Sequence, residues 1–113
     1  MTDLDLDEML RREEIDISRV PEEKKEEAAA YLADIFDPDT IVLLASWMET
    51  YGTDWPHKGR SGWHFVSGMQ IRNLLREAGF GEEGLGIENL DYIYTRLVER
   101  AVLGHELERG ENG

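Results

Sequence analysis

Apolar residues in this chain recur at helical spacing in several segments, and proline or glycine marks most of the boundaries between them. Spacings of i, i+3, i+4 and i+7 place side chains on one face of a helix. No two segments show the alternation and short turn that predict a β-hairpin. The pattern therefore predicts an all-α fold, a bundle in which short connections make neighbouring helices antiparallel.

The helix boundaries follow from residues that start or stop helices. Pro21 and Pro38 suit the first position of a helix, and Gly52, Gly79 and Gly104 suit the residue that ends one. We expect four main helices and one short N-terminal helix, at about 21–36, 38–51, 61–78, 88–103 and 4–14.

The segments between these helices are predicted from their composition. Residues 53–60 contain Pro56 and are expected to form a loop, and the glycine-rich residues 80–86 are expected to form a flexible connector. The helix at 38–51 carries apolar residues almost all round its cylinder. We therefore expect it to be the central and most buried helix.

A chain of 113 residues is expected to form a single domain, 1–113. Within it, the narrow stripe of Leu6, Met9 and Leu10 predicts a loosely docked arm at 1–14, and the polar residues 105–113 predict a frayed tail. The absence of cysteine excludes disulfides and thiol catalysis. No apolar run is long enough for a bilayer and no basic leader begins the chain, so we expect a cytoplasmic protein with no membrane contact.

The net charge of -13 is unevenly distributed along the chain. Residues 1–50 carry 15 acidic and 5 basic side chains, which leaves that half at -10. Such a field repels phosphate backbones, so direct nucleic-acid binding is disfavoured. The same charge suits either simple solubility or an acidic mimic that occupies the nucleic-acid-binding surface of a basic partner.

The segment 55–76 reverses the sign of the charge. It contains no Asp or Glu, but it contains Lys58, Arg60, Arg72 and Arg76. On a helical wheel at about 100° per residue, Trp63, Ile71, Leu74, Leu75 and Ala78 share the core side. Phe65 and Met69 fall on nearly the opposite side, with Arg72 and Arg76 beside them.

Aromatic, methionine and arginine side chains together are typical of the energetic centre of a protein interface. We therefore predict a partner-binding face made of Phe65, Met69, Arg72 and Arg76. Lys58 and Arg60 are expected to lie at its entry and to take part in binding. The alternative is that another part of the chain, such as the stripe at 6–10, covers Phe65 and Met69. In that case the arginines would pair with nearby acids of the same chain.

Residues 64–73 read H-F-x-x-G-x-x-I-R-N. This run resembles a motif of small bacterial helical domains of unknown function. The resemblance implies that His64, Gly68, Arg72 and Asn73 act as a unit, and it implies no particular activity.

Patterns for catalysis and metal binding are weak. Asp54, His57 and His64 are residue types that bind zinc or iron, but their spacing matches no known ligand motif. Arg100 and His105 have an R-x4-H spacing that resembles the helical HEPN ribonucleases, although a glycine between them interrupts the helix. We predict no catalytic residue, no metal and no cofactor.

The sequence thus favours a non-enzymatic interaction module that binds another protein, or a second copy of itself, through the 55–76 region. One alternative is the acidic nucleic-acid mimic. Another is a small helical enzyme centred on His64 and Arg72, which requires His64 to lie in an open pocket.

Overall fold

A computed structural model describes residues 17–60, 63–87 and 89–108, apart from the side chains of His64, Phe65 and Tyr92. These residues form helices and contain no β-strand, and four of the helices are seven residues or longer. The predicted all-α bundle with four main helices is confirmed. The predicted helix at 4–14 lies outside the described residues.

Six α-helices and one 3-10 turn follow one another along the described chain. The 3-10 turn is Gly52–Asp54, between α2 and α3. The α-helices are α1 (Glu22–Ile35), α2 (Pro38–Tyr51), α3 (Trp55–Lys58), α4 (Trp63–Glu77), α5 (Glu82–Leu85) and α6 (Leu90–Leu103). Within the described residues, no helix combines the length and the apolar character that a bilayer crossing requires.

Local signals account for most helix ends. Pro38 occupies the first turn of α2, where its missing N–H costs nothing. The Asn89 side chain accepts a hydrogen bond of 2.9 Å from the backbone N–H of Asp91 and so caps the start of α6. Gly104 ends α6 with a φ of 86°, a conformation that favours glycine.

The central helix is α6, and the expectation that residues 38–51 would be most buried is wrong. Leu90, Ile93, Leu97 and Val98 are all fully buried, and α6 packs chiefly against α1 and also against α2 and α4. In α2 the buried side chains are Leu44, Trp47 and Met48. Apolar residues surround α2, but the helices that the structure describes cover only one side of it.

Both predicted connections contain helical turns that are anchored by buried residues. Trp55 opens α3 and is fully buried, and Leu85 ends α5 with 2% of its surface exposed. A four-residue helix is unstable alone, because nucleation costs more than its few hydrogen bonds return. Burial of one large side chain in each turn supplies the missing stabilisation, and sequence patterns do not reveal such long-range contacts.

Candidate protein-binding groove

Helix α4 has two long edges with different surroundings. One edge, with Gly68, Arg72 and Arg76, faces α6. The other, with Trp63 and Leu74, borders an open groove beside α2. Ile71 and Leu75 are buried between the two edges.

Arg72 is held inside the chain by two interactions. Its Nε lies 2.8 Å from Asp91 Oδ1, and its guanidinium carbon lies 4.8 Å from the centre of the Tyr94 ring. Only 12% of the Arg72 side chain is exposed. The ion pair and the cation–π contact hold the guanidinium of Arg72 against α6, and its buried Nη1 has no hydrogen-bond partner among the described residues.

Arg76 is paired more fully than Arg72. It donates two hydrogen bonds to Glu82, from Nε to Oε1 at 3.1 Å and from Nη2 to Oε2 at 2.9 Å, and Nη2 also lies 3.5 Å from Asp91 Oδ1. The hydrogen bond from Arg76 lowers the pKa of Glu82 to about 2, with help from the backbone N–H of Leu90. Arg72, Arg76, Glu82 and Asp91 are named the Asp91 cluster below.

Gly68 allows α4 and α6 to approach each other. A Cβ atom at this position would lie 2.4 Å from the hydroxyl oxygen of Tyr94, which is closer than real contacts allow. Burial raises the pKa of Tyr94, so its hydroxyl stays protonated. Two of the four residues in the predicted unit, Gly68 and Arg72, therefore meet at Tyr94.

The other predicted site residues lie in different environments. Asn73 is exposed and accepts a 3.3 Å hydrogen bond from Arg76. Met69 is 51% exposed on the outer face of α4. Lys58 pairs with Asp54 at 3.9 Å, and both side chains are well exposed. The side chains of Phe65 and His64 lie outside the described part of the structure.

The groove beside α4 encloses about 360 Å³. In the described part of the chain, α2 and α4 do not pack closely along their lengths, and the C-terminal end of α1 closes one end of the space. The apolar side chains that line the groove are Ile35, Phe36, Leu43, Leu44, Trp47, Trp63, Ile71 and Leu74.

Two of these lining residues differ from the helical-wheel prediction. Leu74 was expected on the core side of its helix, and Leu43 in the most buried helix. Their exposed fractions are 38% and 45%. The wheel shows that they lie on apolar faces, but it cannot show that none of the described helices fills the space in front of them.

Three tryptophans join the groove to the core. The rings of Trp47 and Trp63 meet edge-on with centroids 6.0 Å apart, and Trp55 packs against Trp63 at 5.0 Å. Gly59 lies against Trp47, where a Cβ atom would be 2.2 Å from the indole. This close contact positions the next residue, Arg60, at the end of the groove.

The groove carries charge of opposite sign at its two ends. Arg60 is exposed at the Trp47–Trp63 end and forms no ion pair with any described residue. At the other end, Asp34, Asp37 and Asp39 are exposed neighbours of lining residues. They too form no ion pair within the described ranges.

A second group of charges lies at the C-terminal end of α6. Glu99 is fully buried and accepts hydrogen bonds from Trp55 Nε1 at 2.8 Å and from the backbone N–H of Leu107 at 3.0 Å. Glu106 accepts a hydrogen bond from Arg100 Nε at 2.9 Å. Two more cations, Lys25 and Arg96, lie within 4 Å of Glu106. We name these charges the Glu106 cluster: Lys25, Arg96, Glu99, Arg100 and Glu106.

Sequence reasoning missed the Glu106 cluster. Glu99 falls opposite the apolar stripe of α6, so periodicity marks it as solvent-facing. The cluster also ties Glu106 and Leu107 to the bundle, within the segment 105–113 that was expected to be a frayed tail. Residues 109–113 lie outside the described part of the chain. Arg100, the candidate for ribonuclease chemistry, is paired with Glu106 and Glu22, while His105 is exposed.

No protein-family model, curated protein or solved structure matches this chain.

Proposed function

We propose that this protein is a non-enzymatic interaction module that binds a helical segment of a partner protein in the groove between α2 and α4. The observation that carries the proposal is the groove itself, an open apolar channel of about 360 Å³ with Leu43 and Leu74 partly exposed on its walls. Amphipathic helices bind other proteins by inserting an apolar face into such a groove.

The dimensions of the groove suit a short helix. The wall from Thr40 to Trp47 on α2 is roughly 10 Å long, and the wall from Trp63 to Leu74 on α4 is roughly 16 Å, at 1.5 Å per residue. A bound helix of about two to three turns would place two or three apolar side chains between the walls. Most of the α4 wall belongs to the 55–76 region that the charge pattern singles out.

The polar groups around the groove suit binding better than acid–base chemistry. Among its described lining residues, Arg60 is the only ionisable side chain, and the other polar ones are Thr40, Ser67 and Gln70. These groups can donate or accept hydrogen bonds at the rim of an interface. An arginine with no acid or base among the described lining residues beside it is poorly suited to moving protons at neutral pH.

The proposal is tested by selecting helical peptides from a displayed library on the full-length protein. Binding of the selected peptides is then measured on the variants Leu43→Glu and Leu74→Glu. Each substitution places a carboxylate in the apolar channel, so affinity should fall by more than about 30-fold, which corresponds to a hot spot of roughly 2 kcal/mol. Because Trp47 and Trp63 line the groove, tryptophan emission reports binding directly.

Val42→Glu and Val66→Glu are the matched controls. Both valines are exposed and lie on the same two helices, but neither lines the groove. Their affinities should stay within about threefold of the parent protein. Equal losses in the controls, or selection of no peptide that depends on Leu43 and Leu74, would overturn the proposal.

Charge reversal at Arg72 or Arg76 would not test binding cleanly. Both arginines pair with acids of the Asp91 cluster, so the variants would disturb the contact between α4 and α6. Their predicted role in partner binding, with that of Phe65 and Met69, stays a prediction. The acidic mimic, the His64-centred enzyme and the cytoplasmic location also stay predictions.

Self-association is distinguished by analytical ultracentrifugation. A dimer that Leu43→Glu dissociates and Val42→Glu preserves would assign the groove to a second copy of the chain and would count against a foreign partner. A monomer at micromolar concentration is the expected result.

A further inference from the structure

We infer that the segment bound in the groove is a basic amphipathic helix, whose lysines or arginines face the end formed by α1 and α2. This inference rests on the proposed function and adds the chemical class of the partner. It depends on three observations: three aspartates at one end of the groove that pair with no described residue, one described cation, Arg60, among the lining residues at the other end, and the strong negative charge of the whole chain.

Each of the three aspartates is a chain neighbour of a residue that lines the groove. Asp34 precedes Ile35, Asp37 follows Phe36, and Asp39 precedes Thr40. All three carboxylates are exposed, and none forms an ion pair with a described residue. They are therefore available to cations on a helix that leaves the groove at this end.

The two ends of the groove are well separated. Tyr31 on α1 donates a 3.4 Å hydrogen bond to the backbone oxygen of Leu74, which places the C-terminal part of α4 beside α1. The Trp47–Trp63 contact marks the opposite end, where Arg60 lies. Since about 10 to 16 Å separate the ends, and the Debye length is about 8 Å in physiological salt, each end acts locally on a bound helix.

Long-range attraction favours the same partner. The net charge of -13 accelerates encounters with cationic segments and repels acidic ones. Arg60 alone would favour one carboxylate, or the negative C-terminal end of a helix, at its end of the groove. Among the described residues, three acids against one cation make the groove as a whole selective for positive charge.

Three synthetic peptides of about four turns test the inference on the full-length protein. They share one apolar stripe of leucines at i, i+3, i+4 and i+7, and their polar positions are all lysine, all glutamine or all glutamate. The lysine peptide should bind at least about tenfold more tightly than the glutamine peptide in 50 mM salt, with a smaller difference in 300 mM salt. The glutamate peptide should bind most weakly.

The triple variant Asp34→Asn, Asp37→Asn, Asp39→Asn should weaken the lysine peptide about tenfold and leave the glutamine peptide unchanged. The Asp37 side chain makes no capping hydrogen bond, and asparagine is as favourable as aspartate at this position, so α2 should still form. The matched control is Glu23→Gln, Glu26→Gln, Glu83→Gln, which removes the same charge from exposed sites away from the groove. A loss of less than threefold is expected there.

The outcomes separate this inference from the proposed function. If the lysine and glutamine peptides bind equally and both depend on Leu43, the groove binds helices but the basic partner is wrong. Tighter binding of the glutamate peptide would likewise overturn the basic partner. If Leu43→Glu weakens the binding of none of the three peptides, the inference is wrong. The proposed function is then still tested separately by the library selection.

Discussion

The interior along α6 and the groove beside α4 invert the usual distribution of residues. The charged side chains of the Glu106 cluster and of Arg72 are buried or nearly so, whereas apolar side chains such as Leu43 and Leu74 are partly exposed along the groove. Burial of a charge is costly unless it is paired, and exposure of an apolar residue forgoes the gain from its burial.

The difference between the two regions lies in their partners. The buried charges along α6 have acids and bases of the same chain beside them, so that region stabilises the bundle. The apolar wall of the groove has no such covering from the described residues, and Arg60 and three aspartates at its ends have no ion pair there. The positive segment 55–76 is thus divided between an internal edge and an open one.

The largest effect is expected at Glu99, in the Glu106 cluster. Glu99→Ala removes the acceptor for Trp55 Nε1 and for the backbone N–H of Leu107. The free energy of unfolding should fall by roughly 3–5 kcal/mol, because two donors lose their partner in the interior. Urea denaturation followed by tryptophan emission measures the change.

The exposed Glu108 provides the control for Glu99. Glu108→Ala should change the free energy of unfolding by less than about 0.5 kcal/mol. A decrease of less than about 1 kcal/mol in the free energy of unfolding for Glu99→Ala would contradict the contrast between the interior and the groove. It would mean that Glu99 contributes little to the stability of the bundle.

An intermediate effect is expected where α4 meets α6. Gly68→Ala should cost roughly 1–2 kcal/mol, since overpacking against Tyr94 outweighs the better helix propensity of alanine. In a Tyr94→Phe background the same substitution should cost less, because the hydroxyl is gone and only the milder contacts with the ring carbon Cζ at 3.0 Å and with Arg72 Nη1 at 3.2 Å remain. A double-mutant cycle by thermal unfolding measures the coupling, and additive effects would contradict the close contact.

The smallest effect is expected in how the stability of the protein depends on pH through Glu82. Its pKa is lowered to about 2 in the folded state, chiefly by Arg76, from an ordinary value of 4.5. Its contribution is therefore fully present above pH 4.5 and is lost as the pH falls towards 2. Because Glu82 is about one-third exposed, solvent screening reduces this contribution to the order of 1 kcal/mol.

Urea denaturation between pH 6 and pH 2 tests this dependence. The difference in stability between the parent protein and Glu82→Gln should shrink as the pH falls through that window. Glu83→Gln, which changes a neighbouring exposed carboxylate, should show no such trend. A constant difference for Glu82→Gln across the range would show that the pair with Arg76 adds nothing to the bundle.

The sequence predicted those parts of the fold that depend on neighbouring residues. Pro38 and Gly104 mark helix ends through their own backbone preferences, so the four main helices were predictable. The exposure of Leu43 was not predictable, because a helical wheel shows which residues share a face but not whether another helix covers it. The hydrogen bond from Trp55 to Glu99 joins residues 44 positions apart in the chain, and no local sequence pattern reveals it.

The candidate site was also predictable only in part from the sequence. The sequence identified 55–76 as the positive segment, and the pairing of its arginines with acids of the same chain was one of the alternatives it left open. It could not show that Arg72 and Arg76 meet Asp91 while Arg60 lies at the end of a groove. These contacts depend on how α1, α2, α4 and α6 are placed relative to one another in the folded chain.

Composition and local spacing suffice to predict a helical chain with a large negative charge and one positive segment. Which charges are neutralised within the chain, and which apolar side chains the described helices leave uncovered, depends on the tertiary structure. The physical reason is that ion pairing and burial are properties of contacts between residues far apart in the chain, such as Arg72 with Asp91 and Trp47 with Trp63.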